Sequence, residues 1–289
     1  MQERWVDVEG EGGVRLVVRD VAAAKPDAPN LLLHHGLASS QRIWDLMLPR
    51  LARRFRVVTF DARGHGRSSK PRSRFGFDPV IGDALAVIRA RRLRRPVIVG
   101  HSWGAMVALE LAARHPRSVA AAVLVDGGLV RMRAHFPDWA TAKHDLAPPH
   151  LAGTPVDEFR AMIRTFMAGA VDVTPEIEDI VLSVMRVDGE DRIRPNLSRA
   201  NHFRILRAIW EQDPGPLLAA LRVPALAVVA HAVGDPAFDA AKREAALRAK
   251  REGTRRLSVV WMEGIHDLPL QHPEALAARI ERFARSALG

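Results

Sequence analysis

The chain has 289 residues, a formal net charge of +10 and no cysteine. The length suits one large α/β domain with an insertion, and the lack of cysteine excludes disulfides and thiolate chemistry. No apolar run reaches transmembrane length, and the charged N-terminus does not match a signal peptide. We therefore expect a soluble, cytoplasmic protein without a membrane span.

The positive charge comes almost entirely from arginine, since only five of the 43 basic residues are lysines. The densest cluster, residues 89–95, is interpreted as a solvated helix end, where cations complement the helix dipole. No aromatic residues interleave with it, and no nucleic-acid-binding module is visible. We therefore expect no nucleic-acid partner.

The first part of the chain alternates predicted strands and helices. In chain order these are a β-hairpin (3–9 and 14–21), a strand (30–34), a helix (44–53), a strand (55–60), a helix (78–94), a strand (96–99), a helix (105–114) and a strand (118–125). Strands that alternate with helices predict a mostly parallel sheet covered on both faces.

The pattern changes over residues 129–221, where helices and loops are predicted but no convincing strand. Thr154 and Thr174 each precede a proline, which predicts a capping hydroxyl followed by Pro at the first helical position. Ser198 is a candidate cap for a third helix that runs through Trp210. Met and Phe are concentrated in this segment, which suits an adaptable apolar lid over a pocket.

Alternation resumes after Pro224. The predicted elements are a strand (225–230), a helix (238–251), a strand (257–262) and a closing helix (273–287). We therefore predict an α/β core formed by residues 1–128 and 222–289, with residues 129–221 as a helical cap inserted once into it.

The segment Gly100-His101-Ser102-Trp103-Gly104 fits the G-x-S-x-G nucleophile elbow. It lies between a predicted strand and a predicted helix, which is the context that this motif requires. A serine on such a turn projects from both elements, and small neighbours let the backbone turn without clashes. Ser102 is therefore the predicted nucleophile.

A serine hydroxyl is a weak nucleophile at neutral pH and needs a base. Of the 12 histidines, His266 is best placed, because it follows the last predicted strand at the edge where parallel strands end. An oxyanion needs two donors. We assign them to the backbone N–H of Trp103 and of Leu37, which follows Gly36 after the third strand.

With these motifs the chain resembles the α/β-hydrolase superfamily over essentially its whole length. The matching segments are His35-Gly36, Asp61–Ser68, Gly100–Gly104, and Gly264 with His266. The resemblance implies an eight-stranded, mostly parallel sheet, a helical cap, a Ser-acid-His triad, and no metal or organic cofactor. It also implies that the Asp61–Ser68 loop is a structural turn without a catalytic role.

Two carboxylates compete for the role of the triad acid. In most of the family the acid follows the strand that corresponds to residues 225–230, where this chain has Asp235 in a longer loop. Asp126 ends the preceding strand on a Gly-Gly turn, and some members of the superfamily place the acid there. A short rigid turn suits a residue that must orient the histidine, which favours Asp126 and leaves Asp235 as the alternative.

Serine at the elbow argues against the dehalogenase and epoxide-hydrolase branches, and the chain has no tyrosine to protonate an epoxide oxygen. We therefore expect a carboxylesterase or lactonase that acts on a small, largely apolar substrate through an acyl-enzyme intermediate. A cofactor-free perhydrolase or haloperoxidase and a C–C hydrolase stay open as alternatives. A ligand receptor on the same fold is a further alternative from a different class.

Overall fold

The computed structural model describes residues 2–231, 236–251 and 255–289. The strands in these residues are β1 (Glu3–Glu9), β2 (Arg15–Val21), β3 (Asn30–His34), β4 (Arg56–Phe60), β5 (Val97–His101), β6 (Ala121–Val125), β7 (Met185–Val187), β8 (Ile193–Pro195), β9 (Ala225–His231) and β10 (Leu257–Glu263). Eight of them form one sheet in the order β1-β2-β4-β3-β5-β6-β9-β10. Strand β2 is antiparallel to its neighbours β1 and β4, and the remaining neighbours are parallel. The predicted eight-stranded, mostly parallel sheet is confirmed.

The helices connect these strands. They are a 3-10 helix (Gln41–Met47), α1 (Leu48–Leu51), α2 (Phe77–Ala90), α3 (Trp103–Arg114), α4 (Met132–His135), α5 (Trp139–Asp145), α6 (Val156–Met167), α7 (Pro175–Leu182), α8 (Arg199–Glu211), α9 (Pro214–Ala219), α10 (Pro236–Arg251), α11 (Leu268–Gln271) and α12 (Pro273–Leu288). Within the described residues, no helix is both long and apolar enough to cross a membrane.

Two predicted helices differ from the observed ones. The helix expected over 44–53 is a 3-10 helix followed by the short α1, and it begins earlier because the Ser40 side chain accepts a hydrogen bond from the Arg42 amide. The helix expected to reach residue 94 ends at Ala90. Beyond it, Arg91 turns back to the buried carboxylate of Asp20, so this part of the arginine cluster is paired rather than solvated.

Apolar side chains on successive strand residues face opposite sides of the sheet, so each face has its own core. On one face, Leu32 and Ile98 belong to a buried cluster that includes side chains of α2, α3 and α10. On the other face, Leu33 and Val99 belong to a cluster that includes the 3-10 helix, α1 and α12. Burial on both faces explains why β3 and β5 are continuous apolar runs.

The insertion, defined as residues 129–221, lies between β6 and β9 and contains α4 to α9 together with β7 and β8. The expectation that it holds no strand is wrong, because β7 and β8 form a small antiparallel hairpin of their own. Each of the two strands has only three residues, which is too short for an alternating pattern to emerge from the sequence.

Two of the three predicted helix caps in the insertion are confirmed. The Thr174 side chain accepts from the Ile177 amide, and the Ser198 side chain accepts from the Asn201 amide. The prediction for Thr154 is wrong, because Pro155 occupies the N-cap position itself. The Thr154 carbonyl instead accepts a hydrogen bond from the Ile193 amide, which holds this segment extended beside β8.

Glycines at the junction of β5 and α3 are required by close backbone contacts. A Cβ atom on Gly100 would lie 1.9 Å from the carbonyl oxygen of Gly104, and one on Gly104 would lie 2.2 Å from that of His34. No side chain fits at either position. The end of β3 and the start of α3 are therefore packed backbone against backbone, which positions the loop after β3 beside Ser102.

We predict that Gly104→Ala destabilises the protein by about 1 to 3 kcal/mol or more, because the new methyl group must displace backbone atoms of β3. Urea denaturation measures the loss. Gly189→Ala is the matched control, since its Cβ position has no atom within 4 Å. Equal stability of the two variants would contradict the packing argument.

Candidate active site

Ser102 lies on a strained turn between β5 and α3. Its φ of 55° and ψ of −117° are unusual for a residue with a side chain. The Ser102 amide donates to the Val125 carbonyl at 2.9 Å, which ties the turn to the end of β6. The turn projects the Ser102 side chain away from both elements, into the space below the insertion.

Asp126 directly follows β6 and is 7% exposed. Its Oδ2 accepts a hydrogen bond from His266 Nδ1 at 2.6 Å, and its Oδ1 accepts one from the Ala230 amide at 2.9 Å. Asp126 itself has a positive φ of 43°, and its amide donates to the Val228 carbonyl at 2.8 Å. The carboxylate is thus held between β6, β9 and the loop that carries His266.

His266 lies in the loop after β10, which two side chains secure. His101 Nε2 donates to the His266 carbonyl at 2.9 Å, and Gln271 Oε1 accepts from the Ile265 amide at 2.7 Å. The His266 side chain is 50% exposed, and it faces the cavities described below. With Nδ1 bonded to Asp126, its Nε2 is the nitrogen left to exchange a proton with a substrate or nucleophile.

Burial and the neighbouring charges have opposite effects on the pKa values of His266 and Asp126. Burial lowers the pKa of His266, but the Asp126 carboxylate, with a smaller contribution from Asp267, raises that pKa above its ordinary value. Burial raises the pKa of Asp126, but the hydrogen bond from His266 and the nearby Lys242 ammonium hold it below its ordinary value. Asp126 is therefore ionised at neutral pH, and its negative charge stabilises the protonated form of His266.

The loop after β3, which carries Leu37, is held by two buried histidines. His35 Nδ1 donates to the Gly36 carbonyl at 2.7 Å, while its Nε2 accepts from the Ala62 amide at 3.0 Å. His65 Nε2 accepts from the Ala38 amide at 3.2 Å. Each ring accepts on one nitrogen, so both must be neutral for these bonds to form. Burial lowers the pKa of both histidines accordingly.

The segment 61–68, predicted to be structural, lies under this loop. Asp61 accepts from the Gln41 and Arg67 amides, and Arg63 forms a buried, two-bonded ion pair with Asp83. The His65 ring stacks on Trp103 with centroids 5.5 Å apart. The segment therefore connects the loop after β3 to the start of α3.

Two cavities meet at Ser102 and His266. One, of about 430 Å³, is lined by α4 and α8 of the insertion, and by all five residues predicted for the site: Leu37, Ser102, Trp103, Asp126 and His266. The other, of about 460 Å³, extends beneath α6 and α7. Both linings are mostly apolar, with side chains such as Met106, Leu206, Phe159 and Ile180.

The alternative acid, Asp235, lies outside the described residues. Two residues at the site were missed by the sequence analysis, Lys242 and His101. Lys242 had one weak signal, because it shares its helix face with Ala245, Ala246 and Ala249, all of which are buried. Among residues 2–231, 236–251 and 255–289, no group of three or more His, Asp or Glu side chains could hold a metal ion.

Comparison with known proteins agrees with the fold. The model of a family described as alpha/beta hydrolase fold matches residues 29–243, and the chain therefore belongs to this hydrolase family. It is 31% identical to a non-heme chloroperoxidase of Streptomyces lividans, over 90% of this chain and 93% of that protein. The resemblance stated from the motifs is thus confirmed.

Solved structures share the same architecture. The structure of an E-2-(acetamidomethylene)succinate hydrolase superposes with a TM-score of 0.79 at 22% identity, covering 98% of this chain and 99% of that one. An enol-lactonase from Burkholderia xenovorans LB400 superposes with a TM-score of 0.66 at 21% identity, covering 97% and 99%. At this level of identity the likeness shows the fold.

We predict that the stability of the protein falls as the pH is lowered from 7 to 5. Burial lowers the pKa of His34 to about 3 and that of His101 and His202 to about 4. The unfolded chain, with histidine pKa values near 6.5, therefore binds more protons in this window, and each such histidine costs about 2 kcal/mol between pH 7 and pH 5. His266, whose pKa is raised, contributes in the opposite sense but is a single group.

Urea denaturation at several pH values measures this dependence. His34→Asn keeps a donor near the His35 carbonyl but removes the titrating ring. The number of protons taken up on unfolding, obtained from the slope of the unfolding free energy against pH, is therefore expected to fall by about one. His144→Asn, at a side chain that is 89% exposed, is the control and leaves the slope unchanged. A native protein equally stable at pH 5 and pH 7 would refute the prediction.

Proposed function

We propose that this protein is a serine hydrolase that cleaves a carboxylic ester or lactone through Ser102, His266 and Asp126. The observation that carries the proposal is the 2.6 Å hydrogen bond from His266 Nδ1 to the buried carboxylate of Asp126. This pair lies beside Ser102, which occupies the strained turn between β5 and α3. All three residues line the same cavity. Nucleophile, base and orienting acid are the three parts that such chemistry needs.

In the proposed mechanism Ser102 Oγ attacks the substrate carbonyl carbon while His266 Nε2 takes the hydroxyl proton. Asp126 keeps the proton of neutral His266 on Nδ1 and stabilises the imidazolium that forms. The tetrahedral oxyanion accepts hydrogen bonds from the amides of Leu37 and Trp103. Trp103 is the first residue of α3, so its N–H has no partner within the helix.

Collapse of the tetrahedral species releases the alcohol, which takes the proton from His266, and leaves an ester on Ser102. Water then attacks this acyl-enzyme with His266 again as the base, and the carboxylic acid leaves. In a lactone the alcohol and acid stay in one molecule. No step requires a metal or an organic cofactor.

The two cavities suit a substrate with an apolar group on each side of the scissile bond. Each has a volume of 430 to 460 Å³, and the two share Leu37, Ser102 and His266. Side chains of the insertion line both, which supports its proposed role as a cap that selects the substrate. We therefore propose a small, largely apolar ester or lactone.

A second candidate is perhydrolase or haloperoxidase activity, favoured by the 31% identity to a non-heme chloroperoxidase over most of both chains. The same acyl-enzyme would then be attacked by hydrogen peroxide, giving a peracid. Product analysis with acetate and peroxide separates the two, because only this candidate predicts peracid formation faster than ester hydrolysis.

We predict that Ser102→Ala lowers turnover of short p-nitrophenyl esters and of a lactone panel by at least about a thousand-fold, because the acyl-enzyme can no longer form. Ser73→Ala, on an exposed loop, is the control and keeps full rate. If the native protein turns over none of these compounds faster than Ser102→Ala does, the proposed hydrolase activity is wrong.

We predict that Asp126→Asn lowers kcat by about 10⁴-fold, because an amide at this position favours the wrong tautomer of His266. Asp235→Asn is the comparison and keeps most of the native rate. The assay is ester hydrolysis on the better substrate of the panel. The opposite pattern, with loss only in Asp235→Asn, would assign the acid to Asp235.

A further inference from the structure

A buried lysine contacts the carboxylate of Asp126. Lys242, on α10, is 9% exposed, and its Nζ lies 2.9 Å from Asp126 Oδ1 and 3.1 Å from Oδ2. The same ammonium group donates to the Ala230 carbonyl at 3.0 Å. Taking a lysine out of water is costly unless its charge is paired. Asp126, the residue proposed as the triad acid, supplies such a pairing.

The contacts determine how the Asp126 carboxylate is oriented. Oδ1 meets the Ala230 amide and Lys242, while Oδ2 meets His266 and Lys242. Rotation of the carboxylate away from His266 would break the bonds to the amide and the ammonium together. Lys242 thus adds a second, charged restraint to the one that β9 supplies.

Lys242 also acts on His266 through its charge, since both bond the same oxygen. Among the residues that the structure describes, the ionisable groups that face His266 are Asp126 after β6, Lys242 on α10, His101 on β5 and Asp267 beside it. The two carboxylates favour the protonated ring, and Lys242 opposes it. His101, whose burial lowers its pKa to about 4, is neutral at pH 7.

We propose that Lys242 is a positioning residue of the site: it holds the Asp126 carboxylate against His266, and its positive charge limits how strongly that histidine binds a proton. This inference rests on the proposed function, because it concerns the acid that orients the base. A histidine whose pKa lies well above neutral is already protonated at neutral pH and cannot act as a base. Because Lys242 limits the pKa of His266, it extends activity toward lower pH.

The test compares Lys242→Met, Lys242→Gln and a control, Lys250→Met, at an exposed position on the same helix. Methionine removes both the charge and the donor, whereas glutamine removes only the charge. Nuclear magnetic resonance titration of His266 in the substrate-free protein is the first readout. We expect its pKa to rise by about one unit in both Lys242 variants, and to stay unchanged in Lys250→Met.

The second readout is the pH profile of ester hydrolysis. We expect its acidic limb to move up by the same amount in both Lys242 variants. In Lys242→Met, kcat falls at least ten-fold with little change in KM, and Lys242→Gln recovers part of that loss because it keeps a donor to Asp126.

An unchanged His266 pKa in a folded Lys242 variant would overturn the proposal, and so would failure of both variants to fold, since the lysine would then be a structural residue. The titration needs no substrate. A protein inactive on every ester and lactone would refute the proposed function and leave the titration result standing.

Discussion

The arrangement of the site depends on backbone packing at the elbow. Gly100 and Gly104 leave no room for a side chain, so the start of α3 rests directly on the carbonyl groups that end β3. Even at Gly36 an added Cβ would lie only 3.1 Å from the Ser102 Cβ. This contact sets the spacing between Ser102 and the Leu37 loop. The proposed hydrolysis needs that spacing fixed in advance, because oxyanion donors are effective only if they need not move during the reaction.

The second constraint is the charge balance around Asp126. One buried carboxylate accepts hydrogen bonds from a histidine in the loop after β10, a lysine on α10 and a backbone amide of β9. His266 and Lys242 keep the pKa of Asp126 low, although burial alone would raise it. Asp126, His266 and Lys242 are therefore coupled electrostatically, and a change to Asp126 or Lys242 alters the proton affinity of His266.

Neutral histidines form much of the support for this site. His35 and His65 bridge the Leu37 loop to the segment 61–68, and His101 bonds the backbone of His266. A neutral imidazole can donate on one nitrogen and accept on the other, which lets one buried ring join two backbone segments. The same property makes the support sensitive to acid, because protonation removes the acceptor.

The sequence by itself determined the parts of the protein that are encoded locally. The Gly100–Gly104 spacing, the apolar runs of β3 and β5 and the caps at Thr174 and Ser198 each depend on neighbouring residues, so they could be predicted. The position of His266 followed from chain order and the rule that parallel strands end at one edge. The cap predicted at Thr154 was wrong, because pairing with β8 overrides the local signal there. The β7–β8 hairpin was missed because its strands are too short to show an alternating pattern.

The tertiary structure alone decided which groups meet Asp126. Asp126 and His266 are 140 residues apart, and Asp126 and Lys242 are 116 apart. Their contact depends on the register of β6, β9 and β10 and on the way α10 packs against the sheet. The alanine-rich face of α10 is only a weak signal that Lys242 is buried, and no local pattern identifies the carboxylate that it contacts. Side-chain pairs of this kind arise only once the sheet brings distant strand ends to the same edge.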